Sequence, residues 1–327
     1  MFALLNRTPF SAAHTIYPNA EGVDTLQIIV RARFELVGTL TLTEQQPEPI
    51  DKDVYWGEPD ASSLKFSSDY LLPKTATDIL INGNAVAPEG IETRDMKVSF
   101  RIGALNHEIK VVGDRFWEAG EITSAEPFVT MPLRYENSFG GLCSGAAPEE
   151  RFASNPVGKG YFRGKRPPDG LALPNIERVG SEITEYKHKP VPAGCGGIAP
   201  GWEPRAALAG TFDESWQRER APFLPLDYDN RFANAATPDL RYPGFITGGE
   251  PIELSGLTAA GVIATQVPLV KLSAVVELAA GQEILPFNCE TLHIETDECR
   301  FSMVWKAVYV APRCQEKIRS AEVKMVK

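Results

Sequence analysis

The stretch DTLQIIVRARFEL, residues 24–36, alternates between apolar and polar side chains. From Val30 to Leu36 every second residue is apolar, and Arg31 and Arg33 lie between them. Successive side chains of a β-strand point to opposite faces, so this period of two predicts a strand with one face on a hydrophobic core and the other in water. We expect its hairpin partner to follow Gly38, in the stretch TLTLTE.

Further short apolar stretches lie on both sides of a long central region. Residues 78–82, 96–102 and 107–112 have strand character, and the first of these ends in Asn82-Gly83, a turn signal. Strand character returns after Pro251, in KLSAVVELAA, ETLHIETD and RFSMVWKAVYV. Short strands at such spacing are typical of a β-sandwich or a β-barrel.

The central region is rich in glycine and proline. It contains 30 of the chain's 53 Gly and Pro residues between positions 140 and 251, so long regular elements do not fit there. A helix is predicted over Phe212–Arg220, with Asp213 as its N-cap and Pro222 after its end. We therefore predict a mainly β fold, with sandwich- or barrel-like β lobes flanking a loop-dominated centre that holds one or two short helices.

The predicted organisation has three segments along the chain. Residues 1–135 form an N-terminal β-rich lobe, residues 136–250 form a loop-rich centre packed on the lobes, and residues 251–327 form a C-terminal β-rich lobe. A single continuous fold made of all three segments is the alternative.

Composition excludes several classes of protein. The chain of 327 residues is 43% hydrophobic and 23% charged, which is typical of a globular protein. Its net charge of −10 opposes nucleic-acid binding, which requires a basic face. Five widely spaced cysteines without a C-x-x-C pair disfavour a disulfide framework and a zinc ribbon. The longest apolar stretch, Leu257–Val270, is broken by Gln266 and Pro268, so we expect a cytoplasmic protein outside the membrane.

No motif predicts a catalytic, cofactor-binding or metal site. Gly141-Leu-Cys143-Ser-Gly145 has the letters of a nucleophile elbow, but we expect neither the strand before it nor the helix after it. Gly194–Ala199 matches the residue pattern of a dinucleotide fingerprint. That fingerprint follows a strand and opens a helix, and the prolines around this segment exclude both. Asn155–Gly160 is interpreted as a structural turn. The alternative to a binding protein is a hydrolase or transferase that uses Cys143 or the carboxylates of Asp227 and Asp229.

Tryptophan and arginine cluster in the central half of the chain. The functional interpretation is a protein-binding surface, since these residues dominate binding hot spots, and the structural one is arginines stacked on tryptophans inside loops. The candidate partner-binding residues are Arg115, Trp117, Arg134, Tyr135, Phe139, Trp202, Arg205 and Trp216. A glycan-binding module remains a further alternative, with Trp56, Trp117, Trp202 and Trp216 as stacking platforms.

Seven strings resemble a known family in sequence and in order. They are SSDYLLPKTATDILINGNAVAP from Ser67, VVGDRFWEAG from Val111, EPFVTMPLRYENSFGG from Glu126, NPVGKG from Asn155, LPNIER from Leu173, PGWEPRAALAGTFDESWQRERAPFLPLDYDNRF from Pro200 and GGEPIELSGL from Gly248. The chain thus resembles the accessory family of bacterial type VI secretion loci encoded beside PAAR-like spike-tip and VgrG spike genes.

The resemblance implies a protein that is not an enzyme. It implies a cytoplasmic adaptor or chaperone that binds an effector, or the effector's PAAR-like domain, and assists its loading onto the VgrG spike. It carries over no catalytic residues.

Overall fold

The computed structural model describes residues 2–144, 150–279, 281–311 and 318–326. These residues form a mainly β protein, as predicted. The strands are β1 (Ala3–Asn6), β2 (Ser11–Pro18), β3 (Asp24–Glu35), β4 (Val54–Tyr55), β5 (Leu64–Phe66), β6 (Asp78–Asn82), β7 (Asn84–Val86), β8 (Asp95–Ile102), β9 (Leu105–Val112), β10 (Trp117–Glu118), β11 (Glu121–Ile122), β12 (Thr130–Pro132), β13 (Phe139–Ser144), β14 (Lys159–Phe162), β15 (Ile176–Arg178), β16 (Pro251–Ser255), β17 (Val262–Gln266), β18 (Leu272–Leu278), β19 (Gly281–Pro286), β20 (Asn288–Glu295), β21 (Arg300–Val310) and β22 (Ile318–Met325).

Helical structure in the described residues is short. The α-helix α1 spans Glu214–Glu219, with Asp213 as its N-cap, which confirms the predicted helix with slightly narrower bounds. The 3-10 helices are Pro88–Gly90, Tyr135–Asn137, Ala206–Leu208, Asn230–Ala233 and Pro238–Leu240.

Three larger sheets combine strands from both ends of the chain. One five-stranded sheet has the order β2-β3-β21-β20-β6, the other has the order β15-β9-β8-β16-β17, and a four-stranded sheet has the order β1-β22-β18-β19. β3 and β21 pair antiparallel along their length, with Val30 opposite Trp305. Segments 1–135 and 251–327 therefore share their sheets.

One hydrophobic cluster joins the three sheets. Leu26, Ile28 and Val30 of β3 contribute to it, together with Phe100 of β8 and Val276 of β18. In β8 the buried residues alternate with exposed or half-buried ones, as the period of two requires for a strand with one wet face. The core thus follows directly from the alternation in the sequence.

The arginine face of β3 is buried, and the prediction of a wet face there is wrong. Arg31 forms an ion pair with Asp69 at 2.7 Å, and Lys306 of β21 forms one with Glu290 at 3.1 Å. The Lys306 ammonium also donates a hydrogen bond to the carbonyl of Leu71. Asp69 and Leu71 belong to the loop after β5, which covers this face, and a buried charge is tolerated because it is paired and hydrogen-bonded.

The predicted hairpin partner of β3 forms only in part, through hydrogen bonds from the amide of Glu35 to the carbonyl of Thr41 and from the amide of Thr43 to the carbonyl of Arg33. The segment after Gly38 contributes one isolated bridge, between Leu42 and Phe34. Along most of its length β3 pairs antiparallel with β21 on one side and with the preceding strand β2 on the other, where His14 lies opposite Ile28. The β2 sequence SAAHTIYP contains small residues without clear alternation, and all eight of its residues are half-buried, so no period of two was visible.

Candidate functional site

Three predicted binding residues, Arg115, Trp117 and Phe139, belong to a packed region beside β13. The Arg115 guanidinium donates a hydrogen bond to Glu177 at 2.9 Å and another to the carbonyl of Pro174 at 3.0 Å. Trp117 and Phe139 are buried members of one aromatic cluster. Phe139 also makes an edge contact with Phe152, with ring centroids 5.1 Å apart. These contacts are internal to the chain.

Four further candidates surround a second small cluster. Tyr135 and Trp202 are buried and meet edge to face at 5.7 Å. Arg205 has no exposed surface, and it donates hydrogen bonds to the carbonyls of Ile198 at 2.7 Å and Phe232 at 2.8 Å.

Arg134 is half-buried, and its guanidinium lies 3.6 Å from the ring centroid of Trp56. The arginine–tryptophan pairing here matches the structural interpretation, in which cations on aromatic rings hold loops in place.

Trp216, the remaining candidate, lies in a different environment. It is half-buried on α1, and its ring meets that of the exposed Phe212 edge to face at 4.8 Å. Its indole N–H donates to the carbonyl of Phe223 at 2.8 Å. The helix belongs to a segment that we call the arm, residues Leu208–Asp229.

The arm is a loop whose two ends are joined. The amide of Asp229 donates to the carbonyl of Leu208 at 3.0 Å. Within the loop, the Asp227 carboxylate accepts hydrogen bonds from the amide of Thr211 at 2.9 Å and from its hydroxyl at 2.7 Å. A closed loop of this kind holds its own shape, which is a common property of functional surface loops.

Two contacts hold the arm against the turn between β2 and β3. The Arg220 guanidinium donates to the carbonyl of Ala20 from that turn and to the carbonyl of Leu224 within the arm. The ring of Phe223 lies over Gly22, where an added Cβ atom would be 3.4 Å from it.

Apolar side chains of the arm face solvent. Leu226 is 88% exposed and Phe212 is 55% exposed, and Phe223 is also on the surface. A short surface segment that exposes several large apolar side chains is a candidate interaction surface. The arm is therefore our candidate binding site.

An acidic cleft of about 430 Å³ lies on one side of the arm. Trp216, Pro225 and Leu226 form its apolar part, and the carboxylates of Asp213, Glu219 and Asp227 line the rest with Arg220. The hydrogen bonds from the Thr211 amide and hydroxyl hold the pKa of Asp227 below its ordinary value, so this carboxylate is charged at neutral pH.

An aromatic cleft of about 320 Å³ lies between the arm and β2. Its lining is entirely apolar or tyrosine, and includes Tyr17, Tyr70, Leu72, Phe223, Tyr228 and Phe232. Burial raises the pKa values of Tyr17 and Tyr228 to about 12, so both hydroxyls stay protonated and the lining stays uncharged. The cleft can take an apolar side chain.

Residues 21–306 match the model of a family described as an uncharacterized protein conserved in bacteria, DUF2169. The match spans the arm and most of both five-stranded sheets. The chain belongs to this family. No match is found among curated proteins or among solved structures.

Two motifs resemble catalytic or cofactor-binding fingerprints in sequence, and both occupy structural positions in the fold. Cys143 lies inside β13, so the expectation that no strand accompanies it is wrong, but its side chain is buried. Residues 145–149 of that motif lie outside the described residues. The stretch Gly194–Ala199 is a loop, as predicted.

The other predicted polar turns hold the loops in place. The Asn155 side-chain amide donates to the carbonyls of Tyr135 at 2.7 Å and Phe139 at 3.0 Å, which confirms the structural turn. The Asp229 carboxylate forms an ion pair with Arg231 at 2.5 Å.

Among the described residues, no three His, Cys, Asp or Glu side chains are grouped closely enough to hold a metal ion. None of the described helices is long and apolar enough to cross a bilayer.

Sequence reasoning identified Trp216 but missed Phe212, Phe223 and Leu226. The signal that could have found the last two is the run Pro222-Phe-Leu-Pro-Leu226, directly after a short helix. Prolines exclude such a run from a central strand, so its apolar side chains have no ladder to carry them into the core.

Proposed function

We propose that this protein is a cytoplasmic adaptor or chaperone that binds a type VI secretion effector, or the effector's PAAR-like domain, and assists its loading onto the VgrG spike. The arm is the binding element. The sequence resemblance supplies the class of partner, and the arm supplies a surface on which such a partner can be held.

The observation that carries this proposal is the exposure of Leu226, which lines the acidic cleft, and of Phe212, whose ring contacts Trp216 of the same lining. Apolar anchors that enter clefts supply most of the free energy of a protein interface, and the surrounding polar contacts mainly exclude water. A rigid β-sheet core with a closed, prefolded arm lets the partner bind without a large cost of ordering.

Co-expression with the neighbouring effector and PAAR-like genes tests the proposal. We expect the complex to co-elute in size-exclusion chromatography, and we expect the Leu226→Ser and Phe212→Ser double variant to separate the partners. Leu269→Ser is the matched control, because Leu269 is 68% exposed and lines neither arm cleft. Separate elution of all neighbours over a range of salt concentrations would contradict the proposal.

Calorimetry of the purified pair adds a second test. An interface of standard size buries about 1,600 Å² in total. Burial of apolar surface on this scale gives a negative heat-capacity change on binding. The absence of such a change would rule out an interface built on these apolar anchors.

A further inference from the structure

We infer that the acidic cleft binds an arginine or lysine side chain of the partner, next to an apolar side chain that contacts Trp216 and Leu226. The inference rests on the proposed function and narrows it to the chemistry of the bound segment. The partner is a protein segment in which basic and apolar residues are neighbours.

The lining of the cleft is acidic. Asp213, Glu219 and Asp227 line it, and none of the three forms an ion pair with a cation of the described residues. Two of these carboxylates already have structural hydrogen bonds, since Asp213 accepts from the amide of Trp216 and Asp227 accepts from Thr211. Glu219 accepts no hydrogen bond from any described residue, so it remains available to an incoming donor.

Arg220, the one cation among the described residues of the lining, does not neutralise these carboxylates. The Arg220 guanidinium donates to the backbone carbonyls of Leu224 and Ala20. These bonds fix the arm against the β2–β3 turn, and the single positive charge of Arg220 is outnumbered by the three carboxylates of the lining. The cleft therefore keeps an excess of negative charge, and a like-charged partner would be repelled from it.

The aromatic part of the cleft strengthens the same preference. Trp216 lies in the lining together with the carboxylates, and its N–H is already bound to Phe223. An indole face attracts a guanidinium or ammonium group, and carboxylates nearby add a charge-assisted hydrogen bond. An apolar side chain can cover Leu226 at the same time, because both residues line one cleft.

A defined series of ten-residue peptides tests the inference. The peptides share a central pair of leucines, and the two flanking residues on each side are arginine, glutamine or glutamate. The full chain is labelled with 5-fluorotryptophan, and each peptide is titrated while the ¹⁹F resonances of its five tryptophans are recorded. Trp216→Phe assigns the Trp216 resonance.

We expect the arginine peptide to shift the Trp216 resonance and to bind at least about tenfold more tightly than the glutamate peptide, as two or three charge contacts allow. Glu219→Arg should reverse this order. Glu214→Arg is the matched control, because it changes the charge of the same helix by the same amount at a residue that lines neither cleft. It should keep the preference for the arginine peptide.

Equal affinities for the three peptides, equal effects of Glu219→Arg and Glu214→Arg, or no shift of the Trp216 resonance would each overturn the inference. The outcome is separable from that of the proposed function. If Leu226→Ser and Phe212→Ser dissolve the complex with the neighbouring proteins but charge reversal at Glu219 does not weaken it, the adaptor proposal stands and the charge preference fails.

Discussion

Two combinations of a tryptophan and a nearby arginine lie in different environments. One is Trp202 with Arg205, which is buried, and the other is Trp216 with Arg220, which lies nearer the surface. Trp202 is 7% exposed, and Arg205 has no exposed surface. Trp216 and Arg220 are half-buried on the arm. Both arginines donate to backbone carbonyls of loops, Arg205 to Ile198 and Phe232, and Arg220 to Leu224 and Ala20.

The difference lies in what covers each pair. Tyr135, Ile198 and Ala199 form a cluster around Trp202, whereas Phe212 is the ring partner of Trp216 and is itself exposed. The first pair is therefore enclosed by the fold, whereas Trp216 of the second lies at the surface of the arm. An arginine–tryptophan motif by itself does not distinguish a structural role from a binding role.

The largest expected effect separates the two tryptophans by stability. Trp202→Ala removes a buried indole and should lower the free energy of unfolding by about 4 kcal/mol, because the cavity left behind adds to the lost burial. Trp216→Ala should lower it by about 1 kcal/mol, since half of that side chain already faces water. Urea denaturation followed by circular dichroism measures both. Equal losses would break the comparison.

Acid should weaken the buried region around His293. Burial, with Arg31 and Lys74 nearby, lowers the pKa of His293 to about 3. The unfolded value is about 6.5, so the neutral imidazole stabilises the fold above that pH, and stability is lost as the pH falls from 6.5 towards 3 by up to about 1.4 kcal/mol per pH unit.

His293→Gln tests this pH dependence, because glutamine cannot take up the proton. Urea denaturation at pH 7, 6, 5 and 4 should give a shallower loss of stability for this variant than for the unchanged chain. Leu226→Ser on the arm serves as the control, with an unaltered slope. An identical slope for His293→Gln would exclude the imidazole as a source of acid sensitivity.

Two glycines with the same backbone angle test the closure of the arm. Gly210 has φ +82° and Gly180 has φ +81°, so alanine is strained equally at both. At Gly210 the new Cβ atom would also lie 2.8 Å from Cβ of Pro225 and 2.9 Å from Oδ1 of Asp227, while at Gly180 nothing lies within 4 Å.

Gly210→Ala should therefore cost about 1–3 kcal/mol more than Gly180→Ala, as overpacking does. It should also speed hydrogen exchange of the arm amides and weaken binding of the partner. Matching stabilities and exchange rates for the two variants would show that the arm closes without this contact.

The smallest expected effect on stability is that of Leu226→Ser. A side chain that is 88% exposed contributes little to folding, so the free energy of unfolding should change by less than about 0.5 kcal/mol. Binding of the partner should nevertheless fall by about tenfold or more, because interface anchors of this kind commonly contribute above about 1 kcal/mol. A stable variant with full binding would remove Leu226 from the interface.

Much of the sheet structure could be predicted from local pattern. The alternation in Asp24–Leu36 identified β3, and the same reasoning identified β8, β9, β20 and β21. The capping aspartate and the following proline identified α1. These elements are fixed by side-chain periodicity and backbone chemistry, which act between near neighbours in sequence.

The candidate site was only partly predictable. Trp216 could be named, but so could Trp117 and Trp202, which are buried. Burial depends on which distant segment covers a side chain, and Tyr135 covers Trp202 from far along the chain. Phe212 and Leu226 were missed because the same apolar residue types occur on the surface and in the core, so residue type alone does not indicate exposure.

The sequence by itself determined a mainly β chain with a glycine- and proline-rich centre and one short capped helix, because turns, caps and alternation are local properties. Only the tertiary structure decided that β3 is covered on both faces, and that one arginine–tryptophan pair is internal while the other lies on the arm. Those outcomes depend on contacts between segments that are remote in sequence, and the local sequence pattern does not indicate which remote segments will pack together.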